Sequence, residues 1–127
     1  MSKHIFKDRA AHVPEFCRPT VDVLAQFSGK WFLHVLGGLQ GGPKRFSELE
    51  DSIDGISQRM LTLTLRTLER DGLVTRHITA SIPPRVDYEL TERGHSVMEP
   101  LAAIHSWAHQ HTDGIVESRR LFDEREV

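Results

Sequence analysis

The segment from Arg45 to Leu90 constrains the fold of this chain more than any other. A short amphipathic stretch follows Arg45 and ends at a turn that contains Gly55. The next segment, residues 57–71, contains leucines at helical spacing. Two runs of loosely alternating residues follow, at 74–79 and 86–90, on either side of a loop that contains two prolines. This order predicts a short helix, a tight turn, a longer helix and an antiparallel hairpin.

Capping signals predict where the helices begin. Ser47 and Glu50 have the spacing of a capping box, in which each side chain satisfies an exposed backbone donor. Ser57 suits the N-cap of the longer helix, and Gly72 suits the position just after its end. Pro19 can open an earlier helix, and Thr91 can cap a last one. The apolar residues of that last helix follow helical spacing at Val97, Leu101, Ile104 and Ala108, with Met98 alongside.

Length and composition indicate one soluble domain. The chain has 127 residues, of which 39% are hydrophobic and 27% charged, as in ordinary globular proteins. No apolar run approaches the roughly 20 residues of a membrane span, and the first residues lack the apolar core of a signal peptide, so we expect a cytoplasmic protein. We divide the chain into a flexible N-terminal arm (1–16), a main domain (17–111) and an acidic C-terminal tail (112–127).

The charge balance bears on possible partners. A formal net charge of −2 counts against nucleic-acid binding, since basicity across the domain is the usual signature. The charges are unevenly distributed, however, and binding depends on where they lie. Four acids crowd the segment from Glu48 to Asp54, whereas the arginines between 59 and 93 lie elsewhere. A locally basic surface is therefore compatible with the net charge.

The predicted helix at 57–71 has two distinct sides. At 100° per residue, one side collects three leucines and the opposite side three arginines. These are Leu61, Leu65 and Leu68, and Arg59, Arg66 and Arg70. Arginine suits bidentate contacts to guanine edges and phosphates, and a helix N-terminus favours a nearby phosphate. The order of elements favours DNA contact over the alternative, an ordinary solvated face.

Taken in order, several short motifs show that the chain resembles the HxlR-type winged helix-turn-helix transcriptional regulators of bacteria. The resemblance spans residues 17–107. It is carried by Cys17 with Pro19, Gly29-Lys30-Trp31, Arg45-Phe46-Ser47-Glu48-Leu49, Ile56-Ser57, Met60-Leu61, Leu65, Leu68-Glu69, Asp71-Gly72-Leu73-Val74, Arg76, Pro83-Pro84-Arg85-Val86, Tyr88, Leu90-Thr91, Gly94 and Trp107. Arg18 departs from the family pattern, and the residues beyond His111 lie outside it.

The resemblance implies a mainly helical winged helix-turn-helix domain that forms a homodimer through its N- and C-terminal helices. It also implies that the helix at 57–71 enters the major groove and that the hairpin contacts the backbone or minor groove. We expect double-stranded DNA with a pseudo-palindromic sequence as the partner. The expected base contacts are Ser57, Gln58, Arg59 and Thr62; the expected backbone contacts are Arg66, Arg70, Lys44, Arg45, Ser47 and Arg85. Arg45 has a structural ion pair as its alternative role.

Cys17 is the only cysteine, so an intramolecular disulfide is excluded. Some members of the family use a cysteine at this position to sense oxidants or electrophiles. The neighbouring Arg18 and a nearby helix N-terminus both favour the reactive thiolate. The alternative is an inert residue packed at the dimer interface, because free cysteines are often buried. The effector itself, whether an oxidant or another small molecule, is not specified by the sequence.

Other chemistry finds less support. His105, His109 and Asp113 have spacing that can align metal ligands, but a polar stripe on a helix is the favoured interpretation, and we predict no metal or cofactor. No catalytic or phosphate-binding motif is present, which argues against an enzyme. Two alternatives stay open: a winged-helix module that binds proteins instead of DNA, favoured by the net charge, and a small-molecule-binding protein, favoured by Trp31 and Trp107.

Overall fold

A mainly helical domain with a small antiparallel sheet forms the described part of the chain. The structure is a computed structural model that describes the backbone of residues 14–126 and the side chains of residues 18–126. The elements in chain order are α1 (Pro14–Gln26), α2 (Lys30–Leu39), β1 (Lys44–Arg45), α3 (Phe46–Ser52), α4 (Gln58–Arg70), β2 (Val74–Thr79), β3 (Arg85–Leu90) and α5 (Glu92–Glu126). The predicted order of short helix, turn, longer helix and hairpin is confirmed.

Helix α4 begins and ends where its capping residues predicted. The backbone N–H of Met60 donates to the Ser57 hydroxyl at 3.0 Å, so Ser57 is the N-cap. At the other end Gly72 adopts φ +75°, a conformation that side chains other than glycine rarely adopt. The N–H of Leu73 then donates back to the Leu68 carbonyl at 2.9 Å, which closes the helix end. Both ends are therefore determined by local sequence.

The hydrophobic core lies beneath α4. Leu61, Leu65 and Leu68 are at most 1% exposed, and α4 packs mainly against α2. The other core residues are Val35, Leu36, Leu39, Leu49, Ile53, Ile56, Leu73, Val74 and Leu90. Thr64 is the buried polar residue of this helix, and its hydroxyl donates to the Met60 carbonyl at 2.8 Å. The leucine side of the predicted helix is confirmed as the core side.

The sheet contains one strand more than the predicted hairpin. Its strand order is β1-β3-β2, and both pairings are antiparallel. Within the hairpin Val74 pairs with Leu90, while in β1 Lys44 pairs with Tyr88 and Arg45 with Asp87. A two-residue strand is too short to show the alternation by which strands are predicted. Because of β1, strand β3 is central in the sheet.

The start of α3 differs from the prediction. Arg45 is the N-cap, and its backbone N–H donates to the Glu48 carboxylate at 2.8 Å. The predicted capping box of Ser47 and Glu50 was therefore wrong by two residues. The reason is the pairing of Arg45 with β3, which holds that residue extended and makes Phe46 the first helical residue.

The two terminal helices cross the predicted boundaries of the main domain. Helix α1 begins at Pro14, so residues 14–16 of the predicted arm are helical, and Pro19 lies within the helix instead of opening it. Residues 1–13 of the predicted arm lie outside the described part. Helix α5 continues without interruption to Glu126, so the acidic segment is helical as far as that residue. No helix in the described residues is both long and apolar enough to span a membrane.

Ion pairs support the last turns of α5. The Arg120 guanidinium donates to Glu117 at 2.7 Å and also pairs with Glu124. These side chains are three and four residues apart and therefore neighbours on one helical face. The hydrogen bond from Arg120 lowers the pKa of Glu117 below its ordinary value. Local side-chain pairing thus helps to hold a helical segment that extends beyond the core.

A close approach of backbone joins α5 to the end of α4. Gly94 is buried, and a Cβ at this position would lie 2.2 Å from the Leu73 carbonyl oxygen. The Thr91 hydroxyl donates to the Gly72 carbonyl at 2.6 Å and accepts from the Gly94 N–H at 3.0 Å. Thr91 is therefore the helix cap that was predicted, and it also ties α5 to the turn after α4.

We predict that Gly94→Ala lowers the free energy of unfolding by about 1–3 kcal/mol, because the added methyl group overlaps the Leu73 carbonyl. Urea denaturation measures the change. Gly114→Ala is the matched control, since it lies in the same helix and a Cβ there meets no atom within 4 Å. We expect this control to be neutral or to gain up to about 1 kcal/mol from helix propensity. Equal stability of the two variants would contradict the close contact.

Candidate nucleic-acid interface

The side of α4 opposite the core carries three exposed arginines, Arg59, Arg66 and Arg70, which we call the arginine face. No ion pair among the side chains of residues 18–126 involves any of the three. Their guanidinium groups are therefore not engaged by carboxylates within this part of the molecule. A guanidinium in this position offers several N–H donors and a positive charge to an external acceptor.

The N-terminus of α4 is exposed and partly engaged in its own capping. The Ser57 hydroxyl accepts the Met60 N–H but still carries a proton that it can donate. The Thr62 hydroxyl donates to the Gln58 carbonyl at 2.9 Å, which leaves its methyl group and its lone pairs for other contacts. All three predicted residues around Arg59, namely Ser57, Gln58 and Thr62, are exposed at this end of the helix.

Two buried isoleucines set the geometry between α3 and α4. Ile53 and Ile56 flank the turn and are 5% and 8% exposed. The Ile53 N–H donates to the Leu49 carbonyl at 3.1 Å, and Gly55 adopts φ +83° between them. The two side chains anchor both ends of the turn in the core. Helices α3 and α4 with this turn form a helix-turn-helix unit whose second helix exposes its arginine face.

The predicted contacts before α4 lie at the junction of sheet and helix. Lys44 is half-buried in β1, and Arg45 and Ser47 are exposed at the start of α3. Because β1 pairs with β3, Lys44 and Arg45 belong to the sheet of the hairpin as well as to the entrance of the helix-turn-helix unit. The Arg45 side chain forms no ion pair within the described residues, so the structural role considered for it finds no support there.

The wing consists of β2, β3 and the loop 80–84, which is exposed throughout. Arg85, the predicted wing contact, pairs with Asp87: its Nε lies 3.0 Å from the carboxylate oxygen Oδ2. The Asp87 side chain is only 18% exposed. Arg85 therefore has a partner on its own strand, and a phosphate would have to compete with that carboxylate.

A further arginine joins the arginine face from the wing. Arg76 of β2 lines the same open groove as Arg66 and Arg70. Its Nε lies 3.6 Å from the Glu69 carboxylate of α4, which links wing and helix. The sequence pattern predicts no DNA contact at Arg76, because the pattern of a strand does not show which helix its side chains approach. The register of the hairpin supplies that information.

Tyr88 lies beside this link in the central strand. Burial raises the pKa of the Tyr88 phenol above its ordinary value; the positive charge of Arg76 opposes that shift and the negative charge of Glu69 adds to it. The half-buried phenol is therefore protonated and uncharged near neutral pH.

The residues considered for metal binding, small-molecule binding and redox sensing do not form a common site among the described side chains. Among the described residues, no three histidine, cysteine or acidic side chains are grouped as a metal site requires; His105, His109 and Asp113 lie exposed along α5. Trp31 is half-buried against the core. Trp107 is 55% exposed and stacks on the His111 ring. The Cys17 side chain lies outside the described side chains.

Comparison with known proteins decides the family. Residues 26–115 match the model of the HxlR-like helix-turn-helix family. The chain belongs to this family. Its members are transcriptional regulators of the winged-helix type, which agrees with the helix-turn-helix unit and wing described above. Residues 116–127 lie outside the matched region.

Individual relatives agree with this family assignment. An uncharacterized HTH-type transcriptional regulator of Methanothermobacter thermautotrophicus is 46% identical over 94 residues, which cover 70% of this chain and 72% of that protein. The crystal structure of diamide-treated YodB from B. subtilis has a TM-score of 0.67 and 32% identity, and covers 74% of this chain and 93% of YodB. The structure of the redox regulator HypR in its oxidized form has a TM-score of 0.65 and 37% identity. The match covers 72% of this chain and 95% of the HypR chain.

The N-cap of α4 can be tested apart from any binding. Ser57→Ala removes the acceptor of the Met60 N–H, and we expect the free energy of unfolding to fall by about 0.5–2 kcal/mol. Ser57→Asp keeps a good cap acceptor and adds a negative charge at the positive end of the helix dipole, so its stability should equal or exceed that of the parent. Thermal or urea denaturation measures both. A stable Ser57→Ala protein would show that the cap contributes little.

Proposed function

We propose that this protein acts as a homodimer that binds a pseudo-palindromic DNA sequence and thereby regulates transcription. The observation that carries the proposal is the arginine face of α4: three exposed arginines lie on the second helix of a helix-turn-helix unit, opposite a leucine side that is at most 1% exposed. In such units the second helix enters the major groove. Membership of a family of transcriptional regulators supports the same function.

Exposed apolar residues on the terminal helices support a dimer. In α1, Val21 and Leu24 are 54% and 61% exposed; in α5, Ile104 and Trp107 are 67% and 55% exposed. These side chains lie outside the core that α4 and the wing share, and burying them against a second copy would remove apolar surface from water. A two-fold dimer places two arginine faces on one side of the assembly, about one helical turn of DNA apart.

We assign roles to the exposed polar residues by position. Those at the N-terminal end of α4 are proposed to contact base edges: Ser57, Gln58, Arg59 and Thr62. Arg66 and Arg70, further along the helix, are proposed to contact phosphates together with Arg76. Lys44, Arg45 and Ser47 are proposed to contact the backbone beside α3, and Arg85 to do so from the wing in competition with Asp87.

Two substitutions separate base reading from phosphate binding. Arg59→Ala should relax preference at one position of the site and cost about 1–3 kcal/mol on the best sequence. Arg66→Ala should weaken all sequences alike and reduce the slope of log affinity against log salt by about 1. Fluorescence anisotropy with the DNA upstream of the coding region, and with single-base variants of the bound site, measures both effects.

The matched control is Arg119→Ala, which removes an equal charge from an exposed position of α5 and should leave DNA affinity unchanged. Ser57→Asp gives a second test, because it keeps the cap while its carboxylate repels phosphate, so a stable protein with weakened binding is expected. If Arg59→Ala binds every sequence as the parent does, the assignment of base reading is wrong. Absence of any salt-sensitive, sequence-dependent binding would favour the protein-binding module instead.

We further propose that oxidation of Cys17 modulates DNA binding. The support is indirect: Cys17 lies in α1, one of the helices proposed for the dimer, and related structures include diamide-treated YodB and oxidized HypR. With a single cysteine per chain, a disulfide formed on oxidation must join two chains or a chain and a small thiol. An intersubunit link through α1 would change the spacing of the two arginine faces.

Treatment with diamide should change the DNA affinity of the wild-type protein and leave Cys17→Ser unaffected. Non-reducing electrophoresis and mass spectrometry identify the product as a linked dimer or an adduct, and dithiothreitol should restore the original affinity. Identical responses of the two proteins would rule out a sensing role for Cys17 and leave it as a packing residue.

A further inference from the structure

A cleft of about 560 Å³ lies between α1, α5 and the segment that joins α4 to β2. Its walls are mostly apolar: Val23 and Phe27 come from α1, Leu73 from the segment after α4, and Val97 and Pro100 from α5. The volume falls within the range of roughly 300–1,000 Å³ that small-molecule sites occupy. The cleft is separate from the arginine face, and none of the DNA contacts proposed above lines it.

One end of the cleft is polar. Arg93 lies there, and its Nη1 donates to the Asp71 carbonyl at 3.1 Å. A guanidinium has five N–H donors, so this bond leaves others for a bound molecule. Asp71 and Ser96 line the cleft as well. The Ser96 hydroxyl donates to the Arg93 carbonyl at 2.6 Å, so its oxygen can only accept further bonds.

We propose that this cleft binds a small uncharged molecule with an apolar body and one hydroxyl head, which is the chemistry of an alkylphenol. The apolar walls favour the body. At the polar end the charges of Arg93 and Asp71 are opposite, so a neutral head is favoured over a carboxylate, which Asp71 would repel. A phenolic hydroxyl both accepts from Arg93 and donates to Asp71, and it thereby satisfies groups that would otherwise lose their water on binding.

The site adjoins the end of the proposed recognition helix. Asp71 is the C-cap of α4, and a Cβ at Gly72 would lie 2.5 Å from the Arg93 guanidinium. Arg93 is therefore packed directly on the turn from which the wing begins. A ligand that accepts hydrogen bonds from the Arg93 guanidinium therefore acts on the position of α4 relative to β2. This coupling to DNA rests on the proposed function, whereas binding in the cleft does not.

The test is calorimetric titration of the full-length protein with 4-propylphenol. We expect saturable binding to the wild type, and Val23→Trp should weaken it at least about tenfold because the indole fills the cleft. Leu33→Trp is the control: Leu33 is 44% exposed in α2, does not line the cleft and lies outside both helices proposed for the dimer. The control should bind within about twofold of the wild type, a difference below 0.5 kcal/mol.

Several results would overturn the proposal. The first is a titration of the wild-type protein that gives no saturable heat. The second is a Val23→Trp protein that binds 4-propylphenol as tightly as the wild type does. The third is propylbenzene, which lacks the hydroxyl head, binding as tightly as 4-propylphenol. Tighter binding of 4-propylbenzoate would refute the neutral head. Light scattering follows the oligomeric state; a Val23→Trp protein that binds no phenol and no longer dimerises would show that a second copy occupies the cleft. A protein that binds 4-propylphenol but no DNA would support the ligand site and refute the proposed function.

Discussion

The packing of the leucine side of α4 is the interaction on which the other features of this domain depend. Leu61, Leu65 and Leu68 are at most 1% exposed, and they fix both the position of α4 against α2 and its rotation about its own axis. An α-helix has one buried side when its apolar residues repeat at three and four positions. Once that side is buried, the arginine face has to point to solvent. The isoleucines of the turn extend the same core to α3, so the helix-turn-helix angle is determined by packing as well.

A second junction connects α4 to the elements that follow it in the chain. Thr91 is hydrogen-bonded to both Gly72 and Gly94, Gly94 packs directly on the Leu73 carbonyl, and Arg93 donates to the carbonyl of Asp71, the C-cap of α4. The end of α4, the root of the wing and the start of α5 thus meet within one set of backbone contacts. These contacts connect the start of α5 to the end of α4, beside the cleft for which we propose ligand binding.

Charge is separated within the molecule, and this explains how a chain with a net charge of −2 presents a basic surface. The three arginines of the arginine face have no carboxylate partner in the described residues, whereas Arg76, Arg85 and Arg120 each have one. Surface pairs of this kind contribute little stability, but they neutralise charge locally. The three exposed arginines therefore offer their positive charge along α4 to an external anion. In the function proposed, attraction to DNA depends on where two such helices are placed more than on the total charge.

Local sequence determined the elements whose signals lie within a few residues: the N-cap at Ser57, the glycine end at Gly72, the cap at Thr91, and the two sides of α4. The motifs also sufficed to predict the family. Tertiary structure decided what depends on partners distant in the chain. The pairing of β1 with β3 moved the N-cap of α3 from Ser47 to Arg45. The hairpin register brought Arg76 beside Arg66 and Arg70, and Asp87 engaged Arg85. Helices α1 and α5 also ran past the predicted boundaries. These outcomes have one physical reason: strand pairing and packing between elements arise from contacts that no local pattern of residues specifies.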